Sequence, residues 1–264
     1  MNIPFTKAHG ARNDFLLTWR DQLPPGIDDV AAAARAICDR YTGAGADGWI
    51  LLAPAAGTTH AVIELWNSDG SRSEISGNGT RCAAALLVAK GAADREIRIA
   101  TGAGLKRLRL LERSGNAFQF EMNMGTAAVE ELHATIEVRD AVVLSVGNPQ
   151  CAIFVDDFEL AWQKIGAIVA LLARFAHGTN VSFLRVVDRH TLDVRFFERG
   201  AGETMSSGTG STGAAAAAHA RGLVESPVTV RTPAGPLQLR WESGEILLTG
   251  PAEIVAVGEF FHAG

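Results

Sequence analysis

Two short segments, separated by about half the chain, each place a serine and several glycines ahead of a run of small residues. They are Ser76-Gly77-Asn78-Gly79 and Ser207-Gly208-Thr209-Gly210. Glycine lets the backbone approach a ligand closely, and the first N–H groups of a helix have no partners within it. The helix dipole adds a partial positive charge there. The pair is therefore a candidate clamp for a carboxylate or phosphate, with two ordinary tight turns as the alternative.

Further polar residues cluster between the hydrophobic runs. Each cluster alone is weak evidence, because asparagine is common in turns. Together they supply amides, an arginine and a glutamate, which suits a small zwitterion such as an amino acid. Arg199 would bind a carboxylate with its two-pronged guanidinium, and Glu198 would bind an ammonium group. The clusters are residues 9–15, 67–71, 147–150, 178–180 and 198–204.

Chemistry without a cofactor or metal is the simplest interpretation of these residues. The seven histidines show no metal-ligand spacing, and no lysine lies in a Schiff-base motif. Two GxGxxG matches favour a dinucleotide only weakly. The match at Gly43 precedes a strand, whereas a dinucleotide loop must open a helix. The match at Gly208 opens a helix, but the next strand ends at Arg231 without an acid to hold a ribose.

The elements that must position these residues occur twice in the chain. One constant shift, which places Ser76 on Ser207 and Asn67 on Glu198, aligns residues 63–109 with the second half without a gap. A period of about half the chain is too long for a solenoid and predicts an internal duplication. The alternative is that each half simply carries its own turn at this point.

The hydrophobic patterns predict an α/β fold. They predict strands at 49–52, 62–66, 97–100, 107–111, 118–122, 141–146, 181–187, 192–197, 228–231, 237–241 and 246–248. They predict helices at 30–41, with Asp28 or Asp29 as N-cap, and at 162–175, 80–90 and 211–221. The last two helices consist almost entirely of small and apolar residues, so we expect them to be buried.

The predicted fold class follows from the repeat. It is α/β, with two pseudo-symmetric domains from an internal duplication, each a curved sheet around a buried central helix. We place the N-terminal half at 1–117, completed by 253–264, and the C-terminal half at 118–252.

The overall composition is typical of a globular chain, with 47% hydrophobic and 20% charged residues. A net charge of −5 gives no whole-chain attraction to nucleic acid or to an anionic membrane. The longest apolar run is far shorter than the ~20 residues of a membrane span. No signal peptide is evident, and three cysteines without a CxxC pair favour a reducing compartment. We therefore expect a cytoplasmic protein whose partner is a small molecule.

Taken in order, the motifs resemble those of the diaminopimelate epimerase family along nearly the whole chain. No single motif is specific, but the ordered set is. It comprises Lys7-Ala8-His9-Gly10 with Asn13-Asp14-Phe15, Gly45-Ala46-Asp47-Gly48, Asn67-Ser68-Asp69-Gly70-Ser71, Gly77-Asn78-Gly79 with Arg81-Cys82, Gly147-Asn148-Pro149, Gly178-Thr179-Asn180-Val181, Glu198-Arg199-Gly200-Ala201-Gly202-Glu203-Thr204 and Gly208-Thr209-Gly210.

The resemblance implies two α/β domains with the active site in the cleft between them. It implies inversion at an amino-acid α-carbon without pyridoxal phosphate, and it is compatible with a homodimer. In the family, one cysteine removes the α-proton and a second delivers a proton from the opposite face; Ser76 and Ser207 occupy these positions here. By matching positions, substrate contacts fall to Asn13, Asn67, Gly77, Asn78, Asn148, Asn180, Glu198, Arg199, Gly208 and Thr209.

The departures from the family pattern concern the chemistry directly. A thiol with a pKa of ~8.5 can be tuned to a thiolate, whereas a serine hydroxyl needs an adjacent base. Gln150 stands where the family usually has histidine, and Arg12 stands in place of a usual glycine. Glu74 and Glu203 are nearby in sequence but cannot be positioned from it. Cys82 matches a separate family cysteine and not a catalytic one.

These observations predict an impaired epimerase that interconverts LL- and meso-diaminopimelate. Two alternatives stay open at this point. One is a related isomerase or dehydratase of the same fold that uses a carboxylate. The other is an amino-acid-binding protein that retains the pocket without catalysis.

Overall fold

The computed structural model describes residues 1–262, which form two compact units. Among the described residues, unit 1 comprises Met1–Met122 and Pro251–His262, and unit 2 comprises Asn123–Gly250. Strands β8 (Ala117–Gly125) and β17 (Glu245–Phe261) contain residues of both units. The sequence-based domain limits stay a prediction, and residues 263–264, which belong to the predicted N-terminal half, lie outside the described residues.

Unit 1 is a sheet that surrounds one helix. Strand β1 pairs antiparallel with β17 and β2, β2 runs parallel to β3, β3 pairs antiparallel with β4, and β4 runs parallel to β6. Helix α2 packs against β1, β2, β3, β4 and β6. The elements are β1 (Asn2–Gly10), β2 (Asn13–Trp19), a 3-10 turn (Arg20–Gln22), α1 (Val30–Cys38), β3 (Gly48–Pro54), β4 (Ala61–Asn67), β5 (Arg72–Ser73), α2 (Gly77–Ala89), β6 (Glu96–Thr101) and β7 (Gly104–Ser114).

Unit 2 has the same plan. Strand β10 pairs antiparallel with β11, β11 runs parallel to β12, β12 pairs antiparallel with β13, and β13 runs parallel to β15. Helix α4 packs against strands on several sides, from β9 to β13 and at β15 and β16. The elements are β9 (Ala128–Ile136), β10 (Arg139–Ser145), β11 (Pro149–Phe154), α3 (Trp162–Ala170), β12 (Asn180–Asp188), β13 (Thr191–Glu198), β14 (Gly202–Thr204), α4 (Gly208–Ala220), β15 (Val228–Thr232) and β16 (Gly235–Glu242).

The repeated order of elements confirms the predicted fold class. The parallel pairs β2–β3 and β4–β6 of unit 1 recur as β11–β12 and β13–β15 in unit 2. Helix α1 corresponds to α3, and α2 corresponds to α4. The chain is therefore a duplicated α/β structure in which each sheet encloses a central helix.

The central helices are buried because nearly all of their side chains are small or apolar. Ala83–Ala85 in α2 and Ala214–Ala218 in α4 are all buried, so strands can approach each helix from several directions. Among residues 1–262, no helix is long and apolar enough to cross a membrane.

The helix bounds differ from the predicted ones for local reasons. The central helices begin at Gly77 and Gly208, whereas the predicted starts were residues 80 and 211. Helix α1 has Asp29 as its N-cap, as one of the two predicted options, but ends at Cys38 and not at residue 41. The Asp39 carboxylate accepts hydrogen bonds from the N–H groups of residues 41 and 42, which favours a turn. Helix α3 ends at Ala170, before the predicted end at residue 175.

Candidate active site

Ser76 and Ser207 are the N-caps of the two central helices. The Ser76 Oγ atom accepts a hydrogen bond from the Gly79 N–H at 3.1 Å, and the Ser207 Oγ atom accepts one from the Gly210 N–H at 2.9 Å. Both serines have extended backbones, as N-cap residues do. The glycine-rich segments are therefore the first helical turns, where the dipole favours an anion.

The packing of these first turns leaves little room for a side chain at Gly79 and Gly210. A Cβ atom on Gly79 would lie 2.9 Å from Ile50 Cδ1. A Cβ atom on Gly210 would lie 2.7 Å from Phe196 Cδ1 and 2.9 Å from the Ser207 Oγ atom. Contacts this short do not occur without displacement of a neighbour. Glycine at these positions thus keeps each helix N-terminus close to its sheet.

In unit 1, a chain of side-chain hydrogen bonds runs from helix α2 to the start of β2. Arg81 Nη2 donates to Asn78 Oδ1, and Asn78 Nδ2 donates to Asn13 Oδ1 at 3.2 Å. Asn13 Nδ2 in turn donates to Asp47 Oδ2 at 2.7 Å. Two predicted substrate-binding residues, Asn13 and Asn78, therefore contact each other with defined amide orientations.

A charged cluster holds Asn13 in place. Asp14 forms ion pairs with Arg40 at 2.9 Å and with Lys7 at 3.1 Å, and Arg40 also reaches Asp47 at 2.6 Å. Burial acts to raise the pKa of Asp14, but the hydrogen bonds and charges of Arg40 and Lys7 outweigh it and hold the pKa below 3.8. The pKa of Asp47 is raised, mainly by burial. Asp47 thus serves as an acceptor that fixes the Asn13 amide.

The backbone conformation at residue 12 accounts for the glycine that the family usually has at this position. Ala11 and Arg12 connect β1 to β2 with φ angles of 50° and 62°, both in the left-handed region. Glycine adopts this conformation without strain, whereas other residues do so at some cost. Arg12 is exposed and occupies a strained turn immediately before Asn13.

In unit 2, Asn148 contacts the first turn of α4 much as Asn13 contacts α2. Asn148 Nδ2 lies 3.4 Å from the Thr209 hydroxyl, and Gln150 Nε2 donates to Asn148 Oδ1 at 2.8 Å. Gln150 is buried against Gly213, where a Cβ atom would lie 3.1 Å from its side chain. Gln150 therefore orients Asn148 and contributes no titratable group.

Asn180 and Arg199 also meet in unit 2. Asn180 Oδ1 accepts a hydrogen bond from the Arg199 backbone N–H at 3.1 Å, and Asn180 Nδ2 donates to Pro149 O at 2.9 Å. The Arg199 guanidinium donates through Nη1 to His177 O at 3.0 Å. Asn180 thus links the start of β12 to the loop that follows β13.

The two serine caps differ at one equivalent position, which holds the Glu198 carboxylate beside Ser207 and the Asn67 amide in unit 1. The Ser207 hydroxyl donates to Glu198 Oε1 at 2.7 Å, and the Thr204 hydroxyl donates to Glu198 Oε2 at 2.8 Å. The residue equivalent to Glu198 in unit 1 is Asn67, whose Nδ2 donates to the Ser71 hydroxyl at 2.9 Å. Sequence reasoning named Glu74 and Glu203 as candidate bases, whereas the hydrogen bond from Ser207 goes to Glu198.

The three thiols of the chain are all buried and protonated near neutral pH. Cys38, Cys82 and Cys151 are all free and buried. Burial raises the pKa of each thiol to about 12, so the thiolate is not available near neutral pH. Within residues 1–262, no group of three His, Cys, Asp or Glu side chains is arranged to hold a metal ion.

Sequence reasoning missed three residues of these clusters. Arg81 interrupts an otherwise apolar helix, and a charge at a position predicted to be buried was the available signal. Asp47 lies in a quoted motif but received no role. Thr204 joins Glu198 only because β13 and β14 pair antiparallel, with Glu198 opposite Gly202, and β14 was not predicted.

The chain matches the family model described as diaminopimelate epimerase over residues 5–130 and 142–255. It is 36% identical over 278 residues to the diaminopimelate epimerase of Pelotomaculum thermopropionicum, covering 97% of this chain and 98% of the relative. It is 37% identical over 276 residues to that of Synechococcus elongatus, with 98% of each chain covered.

Solved structures of similar fold come from several enzymes. A probable proline racemase from Agrobacterium radiobacter, with bound carbonate, has a TM-score of 0.80 at 18% identity, covering 97% of this chain and 92% of its own. A hydroxyproline epimerase from Agrobacterium vitis, with bound trans-4-hydroxy-L-proline, has a TM-score of 0.78 at 17% identity, covering 98% and 92%. At these identities the likeness shows the fold alone.

Proposed function

Because this chain belongs to the diaminopimelate epimerase family, and is therefore an isomerase of the epimerase type, we propose that it interconverts LL- and meso-diaminopimelate. This reaction supplies a precursor of lysine and of the cell wall. We further propose that the reaction is slow, because Ser76 and Ser207 occupy the acid/base positions in place of cysteines. No cofactor enters the proposed reaction.

The observation that carries the proposal is the hydrogen bond from the Ser207 hydroxyl to Glu198, at 2.7 Å. A serine hydroxyl becomes a useful proton acceptor only when an adjacent base takes its own proton. Glu198 is such a base and accepts from Ser207 already in the free protein. This pairing supports residual proton transfer at the Ser207 cap.

The proposed reaction breaks one C–H bond and forms another on the opposite face. The α-proton passes to Ser207 Oγ as the Ser207 proton passes to Glu198 Oε1, leaving a carbanion on the substrate and a neutral Glu198 carboxyl. The electron pair of the broken C–H bond spreads into the substrate carboxylate. The Ser76 hydroxyl delivers a proton to the opposite face of the α-carbon and recovers one from water. The Glu198 proton returns to solvent.

Stabilisation of the carbanion falls to the helix N-termini. The backbone N–H groups of Gly77 and Asn78 in one helix, and of Gly208 and Thr209 in the other, precede the first intrahelical hydrogen bonds. Preorganised donors of this kind stabilise charge as it develops in a transition state. These four residues are thus the proposed contacts of the α-carboxylate.

Side-chain amides and charges complete the proposed substrate contacts. We assign Asn13, Asn67, Asn148 and Asn180 to the substrate's polar groups, and Arg199 to a carboxylate. Glu198 has a second possible role as the acceptor of the substrate ammonium group, and this role competes with its use as a base. Protein partners already hold the Asn13, Asn148 and Asn180 amides in fixed orientations, and this preorganisation supports the assignment.

A second candidate function is favoured by the same hydrogen bond. A carboxylate on one cap and an amide at the equivalent position of the other suit an isomerase or dehydratase that moves a proton with a single carboxylate base. Such an enzyme would act on one face of its substrate. Diaminopimelate would then bind without inversion at its α-carbon.

The test is α-proton exchange with solvent. We would incubate the protein with diaminopimelate in D₂O and follow the loss of the α-proton signal by NMR. Three variants accompany it: Ser207→Cys, Ser76→Cys and the double change. We expect slow exchange by the unaltered protein and faster exchange as each cysteine is introduced, because a thiol forms a thiolate far more readily than a hydroxyl forms an alkoxide.

The outcomes separate the candidates. Formation of LL- from meso-diaminopimelate supports the epimerase. Exchange without any change of configuration, even by the double-cysteine variant, supports the one-carboxylate isomerase. Failure of a folded double-cysteine variant to exchange would rule out diaminopimelate as the substrate.

A further inference from the structure

Helix α2 contains a guanidinium group that is buried without a counter-ion. Arg81 has no exposed surface. Its Nε donates to Pro251 O at 3.1 Å and its Nη2 donates to Asn78 Oδ1. Its Nη1 is buried without a hydrogen-bond partner among residues 1–262. No ion pair joins Arg81 to a carboxylate in that part of the chain.

Such a charge destabilises the free protein. Transfer of an ion from water into the interior costs free energy that only a close partner of opposite charge offsets. Burial lowers the pKa of Arg81 to about 10, so the group still carries its charge at neutral pH. The charge is therefore present in the free protein and lacks compensation there.

The fold itself does not require this charge. The shift that places Ser76 on Ser207 also places Arg81 on Thr212 of helix α4, which is buried in the same way. The Thr212 hydroxyl donates to Gly208 O at 2.7 Å, within its own helix. Since α4 is enclosed by its sheet without a cation, burial of a central helix does not by itself require one.

Arg81 acts on the N-terminus of α2 through Asn78. The Arg81–Asn78 hydrogen bond polarises the Asn78 amide and fixes its orientation, and Asn78 is the second residue of the helix. The dipole of α2 has the same sign at this end. The Ser207 cap differs, since its serine faces the carboxylate of Glu198. Arg81 therefore places a positive charge next to the first turn of α2, whereas the equivalent position of α4 holds the neutral Thr212.

We propose that Arg81 is a positioning residue that, through its hydrogen bond to Asn78, strengthens the binding of the substrate's α-carboxylate at the N-terminus of α2. The proposal rests on the proposed function, in which both helix N-termini contact the α-carboxylate, and it adds a role for Arg81 at the α2 end. The incoming carboxylate supplies the counter-charge that Arg81 lacks in the free protein.

The first test is affinity. We would measure the Kd of meso-diaminopimelate by titration calorimetry for the unaltered protein and for Arg81→Gln, Arg81→Lys and Lys106→Met. Loss of a charge-assisted contact should weaken binding by about tenfold to a hundredfold in Arg81→Gln. Arg81→Lys keeps the positive charge, so its affinity for meso-diaminopimelate should fall by less than that of Arg81→Gln. Lys106, another buried cation of unit 1, lies on β7, so Lys106→Met should leave the Kd unchanged.

Two further readouts distinguish positioning from a structural role. The Tm of ligand-free Arg81→Gln should equal or exceed that of the unaltered protein, because an uncompensated buried charge has been removed. The diamide of diaminopimelate, which has no carboxylate, should bind the unaltered protein and Arg81→Gln equally. If Arg81 had only a structural role, Arg81→Gln would have a lower Tm than the unaltered protein. The variant would then still bind diaminopimelate and its diamide with the same difference in affinity as the unaltered protein does.

Each outcome is decisive. Equal affinity of Arg81→Gln and the unaltered protein for diaminopimelate would overturn the proposal, as would a ligand-free variant that fails to fold. If the unaltered protein ignores diaminopimelate but binds another α-amino acid in an Arg81-dependent way, the proposed substrate is wrong and the role of Arg81 stands. If it binds none of the common α-amino acids, both proposals fall.

Discussion

Replacing Glu198 by glutamine removes the charge that faces Ser207 while keeping the size of the side chain. In the structure, one carboxylate oxygen of Glu198 accepts from Ser207 at 2.7 Å and the other accepts from Thr204 at 2.8 Å. Glutamine offers one acceptor oxygen and one donor nitrogen. The amide cannot accept from both hydroxyls as they now stand, and it cannot take up the Ser207 proton.

The expected loss of activity is much larger than the loss of stability. A positioned general base contributes about 10²–10⁴ to a rate, so α-proton exchange should fall by about that factor. A hydrogen bond to a charged group contributes about 1.5–3 kcal/mol. Glu198 is only half-buried, so the free energy of unfolding should fall by about 1.5 kcal/mol, at the low end of that range.

Thr204→Val is the matched control. It removes the other hydroxyl from Glu198 and leaves the Ser207–Glu198 hydrogen bond intact, so stability should fall similarly while exchange changes by less than about tenfold. Exchange would be followed by NMR in D₂O, and stability by thermal unfolding. If Glu198→Gln exchanged the α-proton as fast as Thr204→Val, Glu198 would not be the base, and the reasoning from the Ser207–Glu198 contact would be refuted.

Burial, ion pairing and the unequal caps each lead to a further expectation. The thiols of Cys38, Cys82 and Cys151 should not react with Ellman's reagent at pH 8 until the protein unfolds, because burial raises the pKa of each to about 12; rapid reaction of any of them in the folded protein would contradict this. The low pKa of Asp14 stabilises the fold above pH 3.8, and this contribution disappears as the pH falls through the lower folded-state value. Asp14→Asn should therefore lower the Tm at pH 7 by more than it does at pH 3, and an equal change at both would count against the ion pairs. Ser207 has a carboxylate partner, whereas the equivalent position in unit 1 holds an amide. Deuterium incorporation with retained configuration should therefore be faster for α-carbons of one configuration, L or D, than for those of the other. Equal exchange rates by NMR would indicate a second base.

The fold was predictable because the chain repeats its pattern. The shift that places Ser76 on Ser207 also matches the flanking strands, so one plan of elements accounted for both units. Strands β1, β2, β5, β9, β11 and β14 are missing from the predicted set. Strands β1 and β2 carry polar motif residues, and β9 is mostly exposed, so hydrophobic patterning gave little signal there.

The candidate site was predictable at the level of motifs but not of contacts. The positions of Asn13 and Asn78 came from the family pattern, yet their hydrogen bond joins residues 65 apart in sequence. The Ser207–Glu198 contact depends on the tight pairing of β13 with β14, a strand of three residues that patterning does not detect. Contacts of this kind follow from tertiary geometry, which propensity does not encode.

The duplication also explains why resemblance between the units is a poor guide to their chemistry. A repeat preserves what the backbone must do, and both units retain a serine N-cap and a glycine as the third helical residue, because the sheet leaves no room for a Cβ atom. Side chains that change only the local charge are not subject to this packing constraint. Asn67 in the first unit corresponds to Glu198 in the second, and Arg81 corresponds to Thr212. Inversion at one carbon needs two groups that meet its opposite faces, and these groups must share geometry but not acidity. In the proposed reaction, the repeated backbone gives each cap the same local geometry, and the exchanged residues give the two caps different side-chain charges.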